Sequence, residues 1–179
     1  MTSRKLAWSS LPIIAALLFA SSFPEAFAES ASFPQISLVD LDGATHLIPK
    51  DWSGGGVLIL GFAHDARGDM DQWRDALQLG QSDHWVEAPV IGDVSALIRP
   101  MIKGGMKRKY AAGARQHITP VFEGADGIRK TVGAASSEVI VLIVDGNGAV
   151  HDRAEGKLDK AAAARLRQTY ERLLRASEG

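Results

Sequence analysis

Two runs of consecutive apolar residues dominate the pattern of this chain. Val57-Leu58-Ile59-Leu60-Gly61-Phe62 and Val139-Ile140-Val141-Leu142-Ile143-Val144 carry no polar side chain. Short runs without alternation predict central strands covered on both faces. Around them the period changes. Phe33 to Leu41 alternates, with Ile36 and Leu38 on one side, and ends at the turn signal Asp42-Gly43; His46 to Ile48 reads as its return strand. Gly54-Gly55-Gly56 reads as a flexible entry to the first buried strand. Asp69 to Leu79 sets Met70, Trp73 and Leu77 on one helical face, and Gly80 stops it. Trp85 to Ile91 predicts a strand interrupted by Pro89. Val94, Leu97, Ile98, Met101 and Ile102 recur at helical spacing and predict a helix from Val94 to Met106, kinked or divided by Pro100. Ile118 to Phe122 is a short strand, and Gly127 to Val132 a short helix. Asp145-Gly146-Asn147-Gly148 predicts a hairpin turn, with Ala149 to Arg153 returning antiparallel. Asp159 caps a last helix running to about Arg175, with Leu166, Tyr170, Leu173 and Leu174 inward. This order predicts an α/β sandwich, a central mixed sheet with helices on both faces.

The N-terminus has a different pattern. Arg4 and Lys5 precede an apolar run from Leu11 to Ala20, and Ala26-Phe27-Ala28 has the small-x-small form of a cleavage site. The run is shorter than the roughly 20 residues of a spanning helix. The expectation is a signal peptide over 1–28 and a single exported domain over 29–179, periplasmic or otherwise extracytoplasmic, with no transmembrane anchor after cleavage. The sequence contains no cysteine. Lipid attachment through cysteine, disulfide exchange and thiol-peroxidase chemistry are therefore excluded, because each needs a thiol or thiolate. A formal net charge of −1 implies no nucleic-acid partner.

The order of elements resembles the thioredoxin superfamily, a three-layer sandwich whose redox motif follows the first buried strand. The matching stretch here is Gly56 to Asp69, and the two cysteine positions would fall near Ala66 and Asp69. The superfamily's cis-proline precedes the strand matching Val139 to Val144, where this chain has Ser136-Ser137-Glu138. Both hallmarks of the redox site are missing together, which implies a scaffold kept for binding. A further set of motifs resembles the mitochondrial ATP synthase assembly factors of thioredoxin-like fold and their bacterial relatives. These are Leu60-Gly61-Phe62 with Trp73, the run Leu97-Ile98-Arg99-Pro100-Met101-Ile102-Lys103-Gly104-Gly105-Met106-Lys107-Arg108, and Val141 to Val150 followed by Glu155-Gly156. The family's last strand carries an Arg-Trp pair where His151-Asp152-Arg153 stands here. The resemblance implies the fold and a non-catalytic assembly or accessory role with no cofactor.

Candidate chemistry concentrates in two places. No acidic residue occurs from Val94 to Phe122, yet Arg99, Lys103, Lys107, Arg108 and Lys109 do, as does Arg115. Such a segment suits an acidic surface on a protein partner or membrane complex, and Arg99, Lys103, Lys107, Arg108 and Lys109 are the expected partner-binding residues. His64, Asp65, Ala66 and Asp69 occupy the pseudo-active position. An alternative function is metal binding or acid–base work by His64, Asp65 and Asp69; the competing reading is a polar loop with Asp69 capping the next helix. Among the tryptophans, Trp73 and Trp85 read as packing residues. Trp52, beside Asp51, is the better candidate for an outside contact.

Overall fold

A computed structural model describes residues 32–134, 138–177 and 179. The expected signal peptide and the pair Ser136-Ser137 lie outside these residues. The elements run β1 (Ile36–Val39), β2 (Thr45–Ile48), β3 (Gly56–Gly61), α1 (Arg67–Ala76), β4 (Trp85–Pro89), α2 (Arg99–Lys109), a 3₁₀ turn (Ala112–His117), α3 (Ala125–Thr131), β5 (Val139–Val144), β6 (Val150–Glu155) and α4 (Lys160–Ser177). β1 and β2 form an antiparallel hairpin, and the main sheet has the order β4-β3-β5-β6. β3 runs parallel to β4 and antiparallel to β5, and β5 is antiparallel to β6. The sheet is mixed, as expected.

The two apolar runs become β3 and β5, each buried at all six positions. Alternate side chains enter opposite layers because successive Cβ atoms of a strand point to opposite faces. Val57, Ile59, Val139, Val141 and Ile143 pack under α1 and α4, against Met70, Trp73, Leu166 and Tyr170. Leu58, Leu60, Ile140, Leu142 and Val144 pack under the β1–β2 hairpin, with Ile48, Trp52 and Val132. The sandwich therefore has α1 and α4 on one face and the hairpin with α3 on the other. Across the sheet, the Trp73 indole donates to Gly156 O at 3.0 Å, and the Tyr170 hydroxyl accepts from His84 N at 3.0 Å.

Several local expectations are corrected. Trp52 is buried, not an outside contact, and Gly54-Gly55-Gly56 is a tight fitting, not a loose entry. A Cβ on Gly56 would overlap the Trp52 ring and lie 2.8 Å from His84 O, while Gly54 and Gly55 have φ of 82° and 132°. Asp69 does not cap α1. Ala66 holds the cap position with no side-chain bond, and Asp69 sits inside the first turn. The second helix begins at Arg99, and Pro100 starts it instead of kinking it. Proline suits a first turn, where its missing N–H has no helical partner to lose. Ile118 to Val121 joins β4 and the residue after it through isolated bridges, Glu87 to Ile118 and Val90 to Val121. Thr119 N donates to Glu87 O and Val121 N to Pro89 O, both at 2.9 Å, and Pro120 falls between these donors, where its missing N–H costs no bond.

Both hairpins turn on one device. Asp40 Oδ1 accepts from Gly43 N and Ala44 N, and Asp40 Oδ2 lies 2.8 Å from His46 Nε2. Asp145 repeats this with Asn147 N, Ala149 N and His151 Nε2. Burial alone would raise both carboxyls. The histidine and N–H hydrogen bonds outweigh it and hold each below the ordinary carboxylate range.

Candidate functional site

β3 ends at Gly61, where any side chain would overlap the Met70 sulfur. The chain then crosses from Phe62 to Ala66 and enters α1. This crossing, the end of β4 and the inner face of α2 enclose a cavity of about 420 Å³. It sits at the C-terminal ends of two parallel strands, the position at which open α/β sheets place ligands. Its wall combines Phe62, Met70, Ile102 and Met106 with His64, Arg67, Lys109 and Tyr110.

Beneath the cavity lies a polar network that sequence reading did not single out. Glu87, on β4, is fully buried. Its Oε1 accepts from the Tyr110 hydroxyl at 2.7 Å, and its Oε2 accepts from Arg74 Nη1 at 3.1 Å. Arg74 Nη1 also donates to Asp71 at 2.7 Å. The Arg67 guanidinium lies 4.7 Å from the Tyr110 ring centroid, a cation–π distance. Burial pushes the Glu87 carboxyl up, more than Tyr110 and Arg74 pull it down. Burial and the neighbouring Glu87 push the Tyr110 phenol well above its ordinary value. Tyr110 therefore stays protonated and donates to Glu87. The network fixes the cavity wall and supplies no base to the cavity.

The pseudo-active residues do not converge. His64 and Asp65 are exposed, Asp69 is half-buried, and Ala66 is buried in the core. Of these four, His64 alone lines the cavity. Among the described residues, no group of three or more His, Asp or Glu side chains could hold a metal ion.

The five basic residues of α2 do not converge, and Arg99 Nη1 donates to Glu123 Oε1 at 2.5 Å. Arg99 and Lys103 lie 5.8 and 6.0 Å from the Phe122 ring, at a second cavity of about 560 Å³ beside β1 and α3. Lys107 Nζ is 3.5 Å from Asp42, and Lys109 lines the first cavity. Arg108 is exposed. The apolar stripe that predicted this helix is partly a surface. Leu97 is 90% and Met101 71% exposed, and α2 has no buried residue. One turn beyond Met101 the same stripe continues through Gly104 to Arg108.

The sequence matches no family model and no curated protein. Solved structures do match. The pneumococcal exposed lipoprotein thioredoxin from Streptococcus pneumoniae strain TIGR4 aligns over 75% of this chain and 98% of its own, with a TM-score of 0.54 at 16% identity. A SCO1/SenC family lipoprotein from Bacillus anthracis str. Ames aligns over 82% of this chain and 96% of its own, with a TM-score of 0.56 at 15% identity. The chain has a thioredoxin-like fold. At these identities the likeness extends to the fold alone. Against that fold, the turn from β3 into α1 carries Ala63-His64-Asp65-Ala66 and no sulfur. No described helix is long and apolar enough to cross a membrane.

Proposed function

We infer that this chain is a redox-inactive thioredoxin-like binding module of the cell envelope, acting as an assembly or accessory factor for a protein partner. The observation that carries the reading is the outward face of α2 with the two residues that lead into it. Of the four large apolar residues exposed among the described residues, three are Leu97, Ile98 and Met101. They lie within a segment without a single acidic residue. An apolar tip on a basic segment suits an acidic protein surface with an apolar centre, since charge steers the encounter and apolar burial holds it. The total absence of cysteine supports a role without thiol chemistry. Export rests on the signal-peptide pattern.

The test is crosslinking and pull-down from the native envelope fraction, at low and raised salt. Wild type is compared with Leu97→Ser/Met101→Ser and with Lys107→Glu/Arg108→Glu. A specific partner that salt releases, and that both variants lose, supports the reading. Surface changes of this kind cost less than about 0.5 kcal/mol each in stability, so lost capture would not reflect unfolding. Capture unchanged in both variants overturns the role of α2.

A further inference from the structure

We propose that the cavity between α1, α2 and the ends of β3 and β4 binds a small amphipathic anion, a single carboxylate or sulfonate on an apolar body. The proposal does not depend on what docks on the outer face of α2. At about 420 Å³ the cavity falls within the size range of small-molecule sites. Its charged groups are of one sign. Arg67 and Lys109 line it beside the His64 ring, and no acidic residue does.

Arg67, Lys109 and the His64 ring are not already committed. None of the three side chains donates a hydrogen bond among the described residues. The one ion-pair contact among them runs from Arg67 Nε to Asp71 at 3.7 Å, longer than a hydrogen bond. Glu87, the nearest buried carboxylate, is occupied by Tyr110 and Arg74. Packing over the Tyr110 ring places the Arg67 guanidinium while leaving its N–H groups for an anion. The remaining wall is apolar. Phe62, Met70, Ile102 and Met106 would strip a fully hydrated ion such as phosphate of water without replacing it, but they favour a hydrocarbon body. Two methionines let the wall adapt to its shape.

The probe is 1-anilinonaphthalene-8-sulfonate, followed by fluorescence on the whole domain. Octanoate and octylammonium, alike in their apolar chain and opposite in charge, serve as competitors. One saturable site, displaced by octanoate and not by octylammonium, is expected. Arg67→Gln/Lys109→Gln should weaken binding about tenfold for each charge removed. Gly105→Leu tests occupancy without removing either of the cavity's cations. A Cβ there meets only Arg108 Nη2, at 4.0 Å, and leucine is the better helix former, so this variant should fold and lose binding. Leu97→Ser/Met101→Ser should bind as wild type does. Absence of a saturable site overturns the proposal. So does equal displacement by octylammonium, or binding that survives Arg67→Gln/Lys109→Gln and Gly105→Leu but is lost in Leu97→Ser/Met101→Ser.

Discussion

α2 and α4 are both rich in arginine and lysine, and they differ in what their apolar faces meet. α4 buries Ala163, Leu166, Thr169 and Tyr170, and α2 buries nothing. Two of the α4 arginines are tied down. Arg165 Nε reaches both oxygens of Asp152 at 3.1 Å, and Arg167 donates to Glu171 at 2.7 Å and to Leu77 O at 3.0 Å. On α2, Arg99 donates to Glu123 at 2.5 Å and Lys107 reaches Asp42 at 3.5 Å, while Arg108 and Lys109 make no ion pair among the described residues. A helix that belongs to the core buries its apolar face, as α4 does. A helix whose apolar stripe stands in solvent is held for something outside the chain, and that difference marks the working side of this molecule.

The largest effect that could break this contrast is on stability. Tyr170→Ala removes a nearly fully buried ring and the acceptor for His84 N. It should cost about 3–5 kcal/mol in urea unfolding. Met101→Ala should stay within about 0.5 kcal/mol, because the side chain is already in solvent. Comparable losses from the two would mean that α2 is packed as tightly as α4, and the contrast would fall.

A smaller effect tests how α2 is tethered. Its C-terminal end is held by Tyr110, whose hydroxyl donates to buried Glu87. Glu87→Ala should cost about 2–3 kcal/mol by leaving that hydroxyl without its acceptor and Arg74 without one of its carboxylates. Glu87→Gln keeps an acceptor and should recover part of it. The pH dependence has a definite sign. Glu87 is raised above its ordinary value of 4.5, so the folded state favours its protonated form. Its contribution is complete below pH 4.5 and is lost as pH rises through the folded value, at no more than about 1.4 kcal/mol per pH unit. The stability of wild type minus that of Glu87→Gln should therefore fall as pH rises above 4.5. A difference that rises with pH would show that Glu87 is ionised more readily in the fold, and that α2 is tethered by a charge pair.

What the sequence made legible, and what it hid, follows the same division. β3, β5, the Asp145 turn and α4 could be read in advance because their local pattern and their final burial agree. α2 was read as a helix but with the wrong start. Periodicity states which residues share a face and not whether anything covers it, so the spacing of Leu97 and Met101 did not show that both stand in solvent. Glu87 was hidden for another reason. Its partners Arg74 and Tyr110 stand 13 and 23 residues away, and only the parallel β3–β4 pairing and the path of α2 bring them together. The parity of β4, with Trp85 and Glu87 on one side, was an available hint. For Trp52 the hint was Gly56, a residue without a side chain beside a large ring.

The smallest effect sharpens the comparison most directly, because it compares like with like. Arg165 is more than half exposed, yet its two-oxygen contact with Asp152 also orients that carboxylate, which accepts from Thr169 at 3.2 Å. Arg165→Gln should cost about 0.5–1 kcal/mol at low salt, the upper part of the range for surface pairs, and the cost should shrink as salt screens it. Arg108→Gln removes the same charge from α2 and should change stability by an amount too small to measure, at any salt. If stability is all that arginine serves, the two substitutions converge. If α2 keeps its charges for a partner, Arg108→Gln leaves unfolding unmoved while capture in the crosslinking assay weakens and Arg165→Gln leaves capture intact. A surface charge that is invisible to the fold and visible to a partner is what separates the two helices, and no packing argument alone would produce that pair of results.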